Sequence, residues 1–494
     1  MQSQHLVRRR TSESSACGRW RVRRGLMPLC LAIGLGTLMA GCKRREAVAP
    51  TPAPPANAPA APVAPAPSPP AAEMLAFVAK TDSGFAACVV NADGGGLTTI
   101  GNVAQDYRYV LWSPNGEMLS MVTEDQDGRW LILATPDGKT RVKLGDGKIA
   151  RTPYEQWGRG GKAIAAVCKS ASGLTLYAFS ADGSSSLPIE AGIENEDMLD
   201  FWDYSWCSDE PRLAFDHFQD VQDAWCRISI ADLEQGAILS VAPGLPGVCV
   251  EPSWSPDGTR LVFCHKHGEG PARLYVVDAD GRDPRPISGD CEGPGREYWW
   301  PMWSPDSKKV AFDCERCEKF GEFHCHVVDV KGRLLAHIGP SVGCFDPRWS
   351  PDGNRLLVSL GAGTGGVGVY EMDSGSFGTA GEALVGGILL ARWAPDSRRI
   401  LLVGAAERPG VVAVASTTDG SFRVVSGHVS DVATAAWSPS GRRILLVETS
   451  AESPDLGTLY TANADGSNLT KVYDGLISAT SPTWRPEPGR GLAH

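Results

Sequence analysis

No apolar run in this 494-residue sequence is long enough to span a bilayer with ease; the stretch Leu26–Met39 is too short and too Gly-rich. Positive charge is in deficit. With 47 Lys and Arg against 57 Asp and Glu, the formal net charge is −10, which argues against nucleic acid as a partner. No sustained 3.6-residue period runs anywhere in the chain, so an all-helical body is excluded. There is no Gly-x-Ser-x-Gly elbow in a strand–turn–helix setting, no P-loop and no His-Glu-x-x-His, so the common hydrolase, nucleotide and zinc-protease sites are missing. The Gly-rich "GAGTGG" at 361–366 has no helix after it and reads as a loop between strands. Histidine is scarce, at nine residues, and both histidine and cysteine are concentrated in the middle of the chain.

The N-terminus reads as a secretory signal. Arg19, Arg21, Arg23 and Arg24 form a basic region, and the short apolar run and small residues follow it. Met39-Ala40-Gly41-Cys42 resembles the bacterial lipobox. That resemblance implies lipidation of Cys42 as the mature N-terminus, and Lys43 beside it favours the outer membrane over the inner one. Residues 50–72 are almost entirely Pro and Ala. Such a segment cannot bury a core and favours extended polyproline II at about 3.1 Å per residue, so it would act as a tether. The expected division is therefore 1–42 signal with lipobox, 43–74 tether, 75–488 folded body and 489–494 tail.

The body repeats. The unit at 251–288, "EPSWSPDGTRLVFCHKHGEGPARLYVVDADGRDPRPIS", recurs with anchors at Trp112, Trp157, Trp206, Trp254, Trp303, Trp349, Trp393, Trp437 and Trp484. Each unit reads as four short strands. A strand ends at the Trp, Ser-Pro-Asp-Gly turns the chain, an apolar strand follows, and a third strand ends at an Asp-Ala-Asp-Gly turn before the fourth. Four strands per repeat predicts an all-β propeller. The first unit, from Met74, lacks a Trp strand, and the Trp484 strand has nothing after it, so the two termini are expected to share one unit and close the ring. The count is nine repeats, hence eight or nine blades. The pattern "WSPDG…LVF…LYVVDADG" resembles the WD40-like Pro-Asp repeat of the TolB-type propellers of bacterial envelopes. This resemblance implies fold much more than function, because the repeat also occurs in peptidases and in oligogalacturonate lyases.

The chemistry-bearing residues gather in "CERCEKFGEFHCH", 314–326, and its neighbours. Counted from the anchors, His217, His265, His267, His324 and His326 and most of the cysteines fall toward one face, where the two-to-three and four-to-one loops lie. Disulfides are the default in an oxidising envelope. Cys249 is expected to meet Cys264 across its hairpin, and Cys314 or Cys317 to meet Cys325. The rival is a zinc or copper site built from the five histidines and the thiols. However, His324 and His326 share one strand face while Cys325 takes the other. Asp278, Asp280 and Asp283 form a plain turn, with calcium as the alternative.

These observations predict a lipid-anchored, monomeric, non-catalytic envelope protein with no cofactor. It would face the periplasm from the outer membrane and present its propeller to a protein or glycan. The alternatives are a metal-dependent polysaccharide lyase or hydrolase using the histidine-rich face, and a structural spacer of an outer-membrane assembly.

Overall fold

In the computed structural model, residues 73–487 are described, apart from 106–108, 151–155, 171–172, 194–203, 209–210, 222–223, 269, 289–295, 317–322, 340–343, 361–365, 381–386, 405–409, 430–431, 451–452 and 478–481. The signal, the lipobox cysteine Cys42, nearly all of the tether, Cys317 and the tail beyond 487 lie outside the described residues.

Among the described residues every element is a strand. Seven four-stranded antiparallel sheets each hold one repeat, and an eight-stranded sheet holds the remaining strands. The architecture is all-β and propeller-like. In the Trp254 unit the strands are Val248–Trp254, Arg260–Lys266, Arg273–Asp278 and Arg285–Pro286, hydrogen-bonded in that order. The eight-stranded sheet joins the Trp437 unit to strands from both ends of the chain. Leu75 pairs with Trp484 and Ala76 with Thr483, while Ala79 pairs with Leu476 of the preceding unit.

The turn after the anchor carries its own hydrogen bonds. In the Trp254 unit, Ser255 Oγ donates to Asp257 Oδ1 at 2.6 Å, that oxygen accepts the Thr259 N–H at 3.0 Å, and Ser255 Oγ accepts the Arg260 N–H at 3.0 Å. The fourth residue past the Trp is left-handed, which suits glycine: φ is 69° at Gly116 and 68° at Gly258. Ser307 and Ser397 adopt the same conformation, at 59° and 60°. Each compensates by accepting a main-chain N–H from the preceding unit, Asp257 to Ser307 at 3.0 Å and Asp352 to Ser397 at 2.9 Å.

Units are joined by their tryptophans. The indole of Trp303 donates to Ser253 O at 2.9 Å, Trp349 to Met302 O at 3.1 Å, Trp393 to Arg348 O at 3.0 Å, Trp437 to Arg392 O at 3.3 Å and Trp484 to Ala436 O at 3.2 Å. In each case the acceptor is the residue just before the previous anchor. Each such bond contributes about 1 kcal/mol net, and it is made between first strands, which thereby meet one another. A cation six residues past the anchor secures the same joint. Arg399 lies 4.9 Å over the Trp437 ring and donates to Gly441 O at 2.7 Å; Arg212 lies 5.0 Å over Trp254. The hydrophobic core is accordingly distributed between units. One cluster joins the Trp254 and Trp303 units through Val262, Cys264, Phe312 and Cys314. The next joins the Trp303 and Trp349 units through Cys325, Val327, Cys344 and Leu356.

Candidate functional site

Cys249 and Cys264, and likewise Cys314 and Cys325, are not brought together, and all four are buried; Cys317, the other expected partner of Cys325, lies outside the described residues. Register is the reason. Cys249 lies opposite His265 and Cys264 opposite Val250, so the two thiols leave the hairpin on opposite faces. Cys249 packs toward the Trp206 unit and Cys264 toward the Trp303 unit. In the next unit Cys314 lies opposite His324, and Cys325 lies opposite Asp313. Burial pushes the Cys249 thiol up to about 12, as expected of an inert core thiol.

The five histidines do not converge either. His217 Nε2 lies 3.0 Å from Ser229 Oγ, and His265 Nε2 lies 2.7 Å from the Pro246 carbonyl and edge-on to Tyr275. Burial lowers the pKa of His265, favouring the neutral ring. His267 is exposed in a turn. His326 is buried, stacked on Phe312 and, at 4.5 Å, on His337; His324 Nδ1 meets Gly339 O at 3.2 Å. The five histidines are spread over three units, with His217 in one, His265 and His267 in the next, and His324 and His326, both against His337, in the third. In the Asp-Ala-Asp-Gly turn, Asp278 is paired with Arg285 at 2.9 Å and Asp280 caps the Arg282 N–H at 3.0 Å.

A different set of residues is brought together. Three residues before their anchors, Glu251, Trp300 and Asp346 all have left-handed backbones, with φ of 58°, 51° and 56°. Each is followed by proline, at Pro252, Pro301 and Pro347, and each pair sits at a break in ladder register between Val250 and Ser253, Trp299 and Met302, and Phe345 and Arg348. Proline has no N–H to give the ladder, so the strand bulges there. A left-handed tryptophan is costly unless its surroundings hold it. Here carboxylates hold all three. The Asp346 N–H donates to Asp313 Oδ2 at 3.0 Å, the Trp300 N–H to Glu251 Oε2 at 2.9 Å, and the Glu251 N–H to Asp216 Oδ2 at 3.4 Å. Each acceptor belongs to the preceding unit. Asp216 and Asp313 lie ten residues past their anchors and are fully buried. At that position the Trp254 unit has Cys264. Glu251 supplies the carboxylate instead, and the Cys264 thiol donates to it at 3.4 Å.

Electrostatics sharpens the site at the joint between the Trp303 and Trp349 units. Burial raises the Asp313 pKa to about 7. The Asp346 N–H and the Cys325 thiol, which donates to Asp313 Oδ1 at 3.3 Å, offset part of that rise, and the charges of Asp346 and Glu251 add to it. Asp346 in turn is clasped by Arg348, with Nε at 3.2 Å and Nη2 at 3.0 Å. Arg392, in the first strand of the next unit, is pushed below the usual guanidinium range by burial and by Arg348. Beside it, Leu389 is 59% exposed on the same first strand, Ile388–Trp393. The first strands of these consecutive units thus carry acidic, basic, aromatic and apolar groups, and those of the Trp254, Trp303 and Trp349 units each hold one left-handed residue. The sequence signal was present as Glu-Pro-Ser-Trp, Trp-Pro-Met-Trp and Asp-Pro-Arg-Trp in consecutive units.

No family model matches this chain, and no curated protein matches it. Among solved structures, the crystal structure of the eukaryotic initiation factor aligns with a TM-score of 0.61 at 13% identity, over 85% of this chain and 100% of that one. An oligogalacturonate lyase in complex with manganese aligns at 0.41 and 14% identity, over 70% and 98%. TolB from Acinetobacter baumannii aligns at 0.30 and 15%, over 74% and 82%. At these identities the first likeness bears on fold alone, and the all-β, propeller-like architecture built from four-stranded units is what this chain is shown to share with known proteins.

Proposed function

We propose that this protein is a non-catalytic binding protein of the bacterial envelope. Lipid at Cys42 holds it at the outer membrane, the Pro/Ala segment spaces it from the bilayer, and the body is a nine-unit propeller closed by pairing of its terminal strands. A protein or glycan docks across the first strands of the Trp254, Trp303, Trp349 and Trp393 units. The observation that carries this reading is the left-handed backbone at Glu251, Trp300 and Asp346, each fixed by a carboxylate of the preceding unit. Strain of about 1–3 kcal/mol per such residue persists only where the surroundings hold it. Fixing it in advance lowers the ordering cost of binding.

The test is chemical crosslinking in intact envelopes followed by capture of the mature protein. A discrete adduct that is lost in Trp300→Ala with Arg348→Ala, yet kept in a fourth-strand variant such as Ile238→Ser, supports the reading. An adduct that survives the double variant at full yield, in protein shown to be folded, defeats it.

A further inference from the structure

Two buried cysteines that the expected pairings left apart meet at the joint between the Trp303 and Trp349 units. Cys325 lies in the third strand of the first unit, Phe323–Asp329, and Cys344 opens the first strand of the second, Cys344–Trp349. Both are fully buried in one apolar cluster with Val327, Ile338 and Leu356. Two shared partners bracket them. Cys325 pairs in register with Ile338, and the Cys344 thiol donates to the Ile338 carbonyl at 3.0 Å. The Cys325 thiol donates to Asp313 Oδ1 at 3.3 Å, and Asp313 Oδ2 accepts the N–H of Asp346, two residues beyond Cys344. The pocket is cut to fit the second thiol: a Cβ on Gly339 would fall 2.2 Å from Cys344 Sγ.

We propose that Cys325 and Cys344 form an inter-unit disulfide, made by exchange with a disulfide donor while the Trp349 unit docks on the Trp303 unit.

The chemistry balances with the donor as oxidant. Cys344 loses its proton to solvent, and its sulfur attacks one sulfur of the donor R–S–S–R. The donor bond breaks, and RS⁻ departs and is protonated. The Cys325 proton then passes to the Asp313 carboxylate, Cys325 sulfur attacks Cys344 Sγ, and the second RS⁻ leaves to be protonated. Two thiols are oxidised to one protein disulfide, and the donor is reduced to two RSH. Cys344 attacks first because it opens the first strand of the docking unit, whereas Cys325 lies in the third strand of the unit already formed. Asp313, brought to about 7 by burial, is matched to receive and return a proton near neutrality. In the cell the bond rests on the envelope reading, since cytosolic thiols stay reduced.

The test uses the purified full chain and is therefore independent of localisation. The protein is unfolded under reducing conditions, refolded with oxidised and reduced glutathione, alkylated and mapped by mass spectrometry. The expected result is one peptide containing Cys325 joined to one containing Cys344, with a higher urea midpoint for oxidised than for reduced protein. That difference should vanish in Cys344→Ser and persist in Cys249→Ser. If Cys344→Ser does not fold, the wild-type map and midpoint shift decide alone. Recovery of both cysteines alkylated from folded, oxidised protein would overturn the proposal, as would linkage of Cys325 to Cys314 or Cys317.

Discussion

The indole N–H of Trp112 donates to the main-chain carbonyl of Thr483 at 3.2 Å, across a sequence separation of 371 residues. It is the same bond that joins one unit to the next elsewhere, here made between the two ends of the chain. The cation of this joint is Arg485, which lies 5.7 Å over the Trp112 ring and donates to Gly116 O at 2.7 Å. Deleting 478–494 should remove the Trp484 strand together with these contacts and leave the edge of Met74–Thr81 unpaired. Thermal or urea unfolding should lose cooperativity. Gly116→Ala is a finer probe, because φ there is 69° and an added Cβ would sit 2.6 Å from Pro486 O. It should destabilise by about 1–3 kcal/mol, measured by urea unfolding.

Ser397 combines a left-handed φ with an accepted N–H from Asp352. Ser397→Ala should cost about 1–3 kcal/mol, because the part-buried Asp352 N–H loses its partner while the strain remains. Ser397→Gly should cost less, since glycine relieves the strain. Equal losses for the two in urea melts would show that the hydrogen bond, and not the conformation, sets the preference.

Asp313 should leave a signature in the pH dependence of stability. Its folded pKa is about 7 against an ordinary 3.8, so between those values the native state binds more protons than the unfolded state. Its contribution is then fully present at low pH and lost as pH rises toward 7. Asp313→Asn keeps an oxygen for the Asp346 N–H but cannot ionise. The variant should flatten the slope of stability against pH over that window. An unchanged slope would place the titration elsewhere.

Membrane attachment has its own test. Cys42→Ala should move the mature protein from the membrane to the soluble fraction, because each acyl CH₂ contributes about 0.8 kcal/mol of anchoring and the Pro/Ala segment supplies no replacement. Sedimentation with membranes despite the substitution would refute the lipid anchor.

The repeat was legible because Ser-Pro-Asp-Gly and Asp-Ala-Asp-Gly make local hydrogen bonds that do not depend on distant contacts, as at Ser255–Asp257, and a tryptophan recurs at a fixed place beside them. The cysteine pairs were not legible, because they depend on register. A break between Val250 and Ser253 helps set whether Cys264 faces Cys249 or Val250, and strand period alone does not fix where that break falls. The carboxylate-held backbone at Glu251, Trp300 and Asp346 was half legible. The x-Pro-x-Trp pattern marks the bulges, but the holding groups, ten residues past the previous anchor at Asp216 and Asp313, become neighbours only when units pack.

The most direct measurement is positional photo-crosslinking in living cells. A photoreactive amino acid is placed singly at Leu389 or Trp300 on the first strands, and at Ile238 or Val424 on the exposed fourth strands. If a partner docks across the first strands, the same discrete adduct should form from Leu389 and Trp300 and be absent from Ile238 and Val424. Adducts from the fourth-strand positions, with none from Leu389 or Trp300, would contradict the account.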